Sequence, residues 1–204
     1  MTRHVGVLIS GRGSNLQALI DAAQAGRLGG DIAVVISNVE AAQGLERARA
    51  VGIPAVFRDH RGRSREDFDQ EIAGILRRHE VELVCLAGFM RLLSAAFVRA
   101  FAGRIVNVHP SLLPAFPGRE AQRQAFEHGV KVAGATVHLV DESLDNGPIV
   151  MQEAVPVLET DDVESLTSRI LDAEHRIYPR AVAALLAGRY RLDGRRIVLE
   201  GAIG

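Results

Sequence analysis

Short apolar runs alternate with longer amphipathic stretches through the first two thirds of the chain. His4–Ile9, Ile32–Ser37, Pro54–Phe57, Leu83–Ala87 and Arg104–Val108 are rich in Val, Ile and Leu and have the length of strands. Between them, apolar residues recur at helical spacing near residues 14–26, 43–51, 64–79 and 94–101. Strand–helix repetition of this kind predicts βαβ units and a mostly parallel sheet. The runs Val-Gly-Val-Leu-Ile and Ala-Val-Val-Ile are nearly continuous rather than alternating, as expected for strands covered by helices on both faces.

The pattern changes after residue 130. Val132–Val140 and Ile149–Val157 read as two longer strands, separated by the polar, turn-rich stretch Asp141-Glu142-Ser143-Leu144-Asp145-Asn146-Gly147-Pro148. A helix is expected from about Asp162 to Ala187, and residues 190–198 read as a closing hairpin around Asp193-Gly194. No repeat, low-complexity tract or linker interrupts the chain. The expected fold class is therefore α/β, with one domain over residues 1–204. Its sheet would be mostly parallel, Rossmann-like and twisted, with helices on both faces and an antiparallel C-terminal part.

Composition narrows the class. A chain of 204 residues has room for one ordinary core, and its 48% apolar and 24% charged residues suit a globular protein. A formal net charge of −1 gives no reason to expect nucleic acid or an anionic membrane as partner. The N-terminal apolar stretch is too short for a signal peptide and no segment approaches bilayer length, so a cytoplasmic location is the expectation. Cys85, in Val-Cys-Leu-Ala, reads as a buried small hydrophobe and has no second cysteine with which to form a disulfide. The exposed helical faces carry no large apolar stripe, so the pattern specifies no oligomeric state.

A glycine-rich turn, Ser10-Gly11-Arg12-Gly13-Ser14-Asn15, follows the first apolar run and opens a helix. Glycine permits a tight turn there, and amide N–H groups at a helix start attract anions. Ser14 and Asn15 add side-chain donors, although both types are also ordinary helix caps. A dinucleotide fingerprint wants a third glycine where Leu16 stands, and an acidic residue where the second strand ends in Ser37-Asn38. A P-loop needs Gly-Lys-Ser/Thr, which does not occur. A monophosphate site is what these exclusions leave.

The second candidate region is Arg104-Ile105-Val106-Asn107-Val108-His109-Pro110-Ser111-Leu112-Leu113-Pro114. Residues two apart on a strand share a face, so Asn107 and His109 project together near a strand end, where open α/β sheets bind ligands. An amide donor beside an imidazole suits the oxyanion of an acyl transfer. The alternative is an Asn that caps the strand and a His that packs in a turn. Asp145, in a Gly/Pro-rich loop between two apolar strands, would orient the imidazole if the fold brings the two together. Asp141 and Glu142 read as solvated. No Gly-x-Ser-x-Gly occurs, which leaves a hydrolase nucleophile elbow unsupported. No His-Glu-x-x-His or Cys-x-x-Cys occurs either, so no metal is expected.

Four strings, in order along nearly the whole chain, resemble the glycinamide ribonucleotide formyltransferases. They are Leu8-Ile9-Ser10-Gly11-Arg12-Gly13-Ser14-Asn15-Leu16-Gln17, Leu86-Ala87-Gly88-Phe89-Met90-Arg91-Leu92-Leu93, Asn107-Val108-His109-Pro110-Ser111-Leu112-Leu113-Pro114 and Leu144-Asp145-Asn146-Gly147-Pro148. The resemblance implies transfer of a formyl group from 10-formyltetrahydrofolate, as co-substrate, to glycinamide ribonucleotide in purine synthesis. It implies Asn107, His109 and Asp145 as the catalytic trio, with Gly13, Ser14 and Asn15 holding the phosphate beside Arg65, and Glu174 meeting the ribose side. Met90, Arg91, Leu92, Leu93, Val140, Asp141 and Asp145 would line the folate pocket. The part before about residue 100 would then hold the ribonucleotide, and the part from about 101 the folate and the chemistry.

Each implied role has a plain structural counterpart. Arg65 also reads as part of a solvated charged turn, Glu174 as an exposed helix residue, and Met90 as core. Two positions depart from the family pattern: Gln122 stands near a histidine common in members, and Asn146 replaces a small residue. His138, within a strand-like run, is divided between packing and the site rim. Competing activities are a 10-formyltetrahydrofolate hydrolase, a methionyl-tRNA formyltransferase and an amino-sugar formyltransferase. The first two carry extra domains that 204 residues do not accommodate, and the monophosphate-like loop disfavours the third. A non-catalytic phosphosugar-binding protein is the remaining alternative, disfavoured by the intact Asn107, His109 and Asp145.

Overall fold

Alternate residues of the central strands go to opposite faces of one sheet, and each face is closed by its own helices. The computed structural model describes residues 2–199, so the first residue and last five of the expected 1–204 domain lie outside the described residues. The first half runs β1 (His4–Ile9), α1 (Ser14–Gln24), β2 (Asp31–Ser37), α2 (Gln43–Ala50), β3 (Ala55–Phe57), α3 (Arg65–Arg78), β4 (Leu83–Leu86) and α4 (Ala95–Ala100). The second half runs β5 (Ile105–His109), α5 (Ala121–His128), β6 (Val132–Leu139), β7 (Ile149–Pro156), α6 (Val163–Ala187), β8 (Tyr190–Asp193) and β9 (Arg196–Leu199). Among the described residues the sheet order is β3-β2-β1-β4-β5-β6-β7-β9-β8. The five strands from β3 to β5 are parallel, and β6 and β7 join antiparallel, as the change of pattern after residue 130 anticipates.

One face packs Val5, Val7, Ile9, Val35, Cys85, Val106 and Val108 against α1, α2 and α6. The other packs Leu8, Val34, Ile36, Val84, Leu86 and Ile105 against Phe68, Ile72 and Leu76 of α3 and Phe97 and Val98 of α4. Burial on both sides is why these strands read as unbroken apolar runs. The second face changes character at β5 and β6. There Asn107, His109, Thr136 and His138 take positions that apolar residues hold farther along the sheet, while their alternates Val106, Val108, Ala135 and Val137 remain in the first core.

Expected and observed boundaries differ by one or two residues, the usual fraying of element ends. The helical pattern left α5 out, and the structure adds it. Its amphipathicity rests on two small buried residues, Ala121 and Ala125, with polar side chains between, so its apolar stripe is faint in sequence. No helix of the described residues is long and apolar enough to cross a membrane.

The long helix α6 ties the halves together. The Tyr178 hydroxyl, fully buried, sits 2.9 Å from the Leu86 carbonyl at the end of β4 and 3.2 Å from that of Val106 in β5, its one proton shared between the two strands. One turn earlier, Glu174 is 5% exposed at the contact with α1, and Asn15 Nδ2 donates to its carboxylate at 2.6 Å. Burial outweighs that hydrogen bond and pushes the Glu174 carboxyl up to about 7. A raised carboxyl pKa means that the folded state holds a proton the unfolded state has released, so its contribution is full below the unfolded value and declines as pH rises toward 7. Relative to Glu174→Gln, the wild type should therefore lose about 3 kcal/mol between pH ~4.5 and ~7 and then level off. Urea unfolding of both proteins across that range checks this, and a pH-independent difference refutes it.

Candidate active site

Antiparallel pairing sets Asn107 of β5 directly opposite His138 of β6, on the polar face described above. Asn107 Nδ2 donates to His138 Nε2 at 3.2 Å, and His138 Nδ1 donates to the Leu139 carbonyl at 2.9 Å. The carbonyl claims the ring proton at Nδ1, which leaves Nε2 as an acceptor. Burial lowers the His138 pKa and keeps the ring neutral, consistent with that role. His138 is 2% exposed, so it is neither simple packing nor rim: it stands behind Asn107 and fixes which way the amide points. The sequence left this residue open because a His in a strand-like run carries no mark of what faces it across the sheet.

His109 follows two residues after Asn107. Its Nε2 donates to the Phe116 carbonyl at 2.9 Å, and its Nδ1 lies 3.5 Å from Asp145 Oδ2. Both ring nitrogens thus face oxygen. Asp145 Oδ1 is 3.7 Å from His138 Nε2, so one carboxylate lies over both imidazoles. The fold brings together Asn107, His109 and Asp145, a meeting that spacing along the chain leaves undetermined.

The Asp145 loop is held in an unfavourable backbone state. Asp145 has φ 47°, in the left-handed region that costs a non-glycine residue about 1 kcal/mol or more. Neighbouring groups hold it there. The Gly118 N–H donates to Asp145 Oδ2 at 2.8 Å, and a side chain at Gly147 would overlap the Leu139 carbonyl. Asn146 accepts from Arg195 of the hairpin through its backbone and side-chain oxygens, which gives this departure from the family pattern a partner. Of the flanking acids, Asp141 accepts from the Ser143 N–H, and Glu142 is exposed to solvent, as expected, in a surface pair with Arg99.

Gly13, Ser14 and Asn15 form the start of α1. Gly13 is the cap residue at φ 73° and no side chain caps the helix, so the first-turn N–H groups remain available to a ligand. A residue larger than glycine at position 13 would also strike Gly44, whose N–H donates to the Gly11 carbonyl at 3.1 Å. A cavity of about 210 Å³ opens here, lined by Ser10 to Asn15 with Ala87, Gly88 and Met90. Asn15 is not simply aimed at it, since its Nδ2 is engaged by Glu174 while its Oδ1 is buried without a partner. Arg65 opens α3, exposed and without an ion-pair partner among the described residues. It does not line this cavity, although its charge acts on buried Asp69. Glu174 is buried rather than an exposed helix residue.

Met90 and Leu92 are 66% and 55% exposed, which removes the core reading of Met90. Arg91 stacks 4.9 Å from the Phe68 ring centroid, and Leu93 and Val140 pack at the edge of the second core. Leu144, from the Asp145 loop, is 57% exposed. Gln122 lies partly buried on α5, and its side chain makes no hydrogen bond among the described residues. Among the described residues, no group of three or more His, Cys, Asp or Glu side chains is disposed to hold a metal ion.

Residues 3–182 match the formyl transferase family model. The phosphoribosylglycinamide formyltransferase of Escherichia coli is 43% identical over 96% of either chain. The trifunctional purine biosynthetic protein adenosine-3 of Drosophila melanogaster is 53% identical over 91% of this chain, which spans 14% of that protein. The crystal structure of glycinamide ribonucleotide transformylase 1 from Symbiobacterium toebii superposes with a TM-score of 0.96 at 54% identity, covering 98% of this chain and 95% of that one. With its fold, its match over most of its length and these relatives, the chain belongs to the formyl transferase family, in the branch of the phosphoribosylglycinamide formyltransferases.

Proposed function

We propose that this chain transfers the formyl group of 10-formyltetrahydrofolate to the amine of glycinamide ribonucleotide, giving formylglycinamide ribonucleotide and tetrahydrofolate. The observation that carries this reading is the convergence of Asn107, His109 and Asp145 at β5, where Asn107 pairs with Leu86 of β4, one residue before the Ala87–Gly88 wall of the cavity at the uncapped start of α1. An anionic phosphate suits the free N–H groups of Gly13, Ser14 and Asn15, and Arg65, exposed at the start of α3 outside the cavity lining, would have to swing toward it to add its charge. The unpartnered Asn15 Oδ1 is an acceptor for a ribose hydroxyl, beside Glu174. Exposed Met90, Leu92 and Leu144 offer an apolar surface to the flat rings of a folate, with Arg91, Leu93, Val140 and Asp141 around them. The ribonucleotide would thus lie mainly on the N-terminal half with Glu174 added from α6, and the folate and the chemistry mainly on the C-terminal half with Met90 to Leu93 added from the loop after β4.

In the reaction, the neutral amine attacks the formyl carbon, a C–N bond forms, and negative charge develops on the formyl oxygen. Asn107, its amide fixed by His138, donates to that oxygen. His109 donates from Nε2 in exchange for the Phe116 carbonyl, with Asp145 beside its Nδ1 orienting the ring. The C–N10 bond then breaks. Asp145 takes the proton leaving the amine and passes it, directly or through water, to N10, so the carboxylate is restored.

Two measurements test this. With 10-formyl-5,8-dideazafolate and glycinamide ribonucleotide, absorbance at the folate chromophore should change only when both are present. Change with the folate alone would make the chain a hydrolase, and no change would favour a phosphosugar-binding role. Asp145→Asn should lower kcat by about a hundredfold or more while KM for either substrate stays close to wild type. Turnover near that of wild type would remove Asp145 from the proton route.

A further inference from the structure

Ser10 follows β1 and opens the glycine-rich turn, and nothing in the reaction above uses it. Its N–H donates to the Gly88 carbonyl at 3.1 Å. Its hydroxyl donates to Asn38 Oδ1 at 2.6 Å and accepts from the Met90 N–H at 2.8 Å. Main chain and side chain of one residue therefore fasten the start of the Gly11–Asn15 loop to the loop after β4. Those same two loops line the 210 Å³ cavity from its two sides.

Behind the link, Asn38 meets His60. Asn38 is 6% exposed and lies 3.3 Å through Nδ2 from His60 Nδ1, which is also 3.1 Å from the Asn38 carbonyl. With its NH2 toward His60, Asn38 presents only its oxygen to Ser10. The Ser10 proton must then point at Asn38, which leaves the hydroxyl lone pairs for Met90 N–H. The residue that excludes a nucleotide-diol acid at the end of β2 thus has a different job, as the anchor of a hydroxyl bridge.

We propose that Ser10 is a positioning residue that holds the phosphate-side loop and the Met90 loop in one fixed relation. The inference rests on the proposed two-substrate reaction. Each loop offers its own groups to its own ligand, so each ligand can bind without the bridge. The new C–N bond, however, joins an atom carried by one substrate to an atom carried by the other. A small change in the distance between loops then weakens the near-attack geometry more than it weakens either binding step.

The test is Ser10→Ala, assayed beside the wild type with both substrates, together with a thermal unfolding curve and hydrogen exchange at the Met90 amide. Expected is a kcat about 10- to 100-fold lower with both KM values within about threefold. Met90 N–H exchange should quicken by about tenfold or more in the same variant. Asn38→Asp keeps an oxygen for the Ser10 proton and should retain most of kcat, whereas Asn38→Leu should match Ser10→Ala. The double variant Ser10→Ala/Asn38→Leu should be no slower than either single one. An unchanged kcat, a kcat loss that only tracks the unfolded fraction, or a KM rise for one substrate alone would each overturn the role of Ser10. In those outcomes the wild type still turns over and the transferase reading stands. Absence of turnover in the wild type would instead overturn that reading, and this inference with it.

Discussion

The register between β5 and β6 is the constraint on which the site depends. Asn107 faces His138 and His109 faces Thr136, while Val106, Val108, Ala135 and Val137 turn to the opposite face under α6. A slip of one residue in β6 would exchange those faces, sending His138 and Thr136 into the apolar core and Val137 beside Asn107. Nothing in the polar face need specify the register, because the apolar face already does. The Asn107 amide is therefore oriented, with His138, by packing on the far side of the sheet. Thr136 extends the effect: its hydroxyl accepts from the Leu113 N–H at 3.1 Å and donates to the Ser111 carbonyl at 2.6 Å, steadying the chain just after His109.

Burial then sets charge. Desolvation acts against the charged form of any group, and its consequence depends on the sign of that charge. It removes the proton from His138, which lets Nε2 accept from Asn107. It adds a proton to Glu174 near neutrality, where the carboxyl meets Asn15 at the start of α1. It pushes the Cys85 thiol up to about 12, which fits its place in the core beneath Tyr178 and removes it from nucleophilic chemistry. One physical effect thus prepares an acceptor, tempers a buried acid and silences a thiol.

The strained parts of the molecule sit on loops that the rigid sheet supports. Asp145, Phe116 and Glu120 all have positive φ without being glycine, and all lie on the two segments that surround His109. Such conformations persist only where neighbouring contacts over-determine them. Here Gly118, Gly147 and Arg195 supply those contacts for the Asp145 loop. A chain 54% identical to a solved relative yet superposing at a TM-score of 0.96 shows that the scaffold tolerates change at many of its positions.

Local pattern determined much of this protein. The strand runs, the α1 and α6 stretches and the switch to an antiparallel end follow from periodicity and turn chemistry, because two-sided burial writes continuous apolar strands. The glycine turn at residues 11–13 and the shared face of Asn107 and His109 follow from backbone geometry alone. The helix α5 was not legible, since two alanines are too faint a stripe to mark it. Only the tertiary structure decided that Asp145 reaches His109, that His138 aims Asn107, that Glu174 is buried against Asn15, and that Ser10 joins two loops. The first of those contacts spans 36 residues and the third 159. Contacts at such separations depend on sheet order and register, and those are fixed by the packing of the whole core rather than by any segment's own preference.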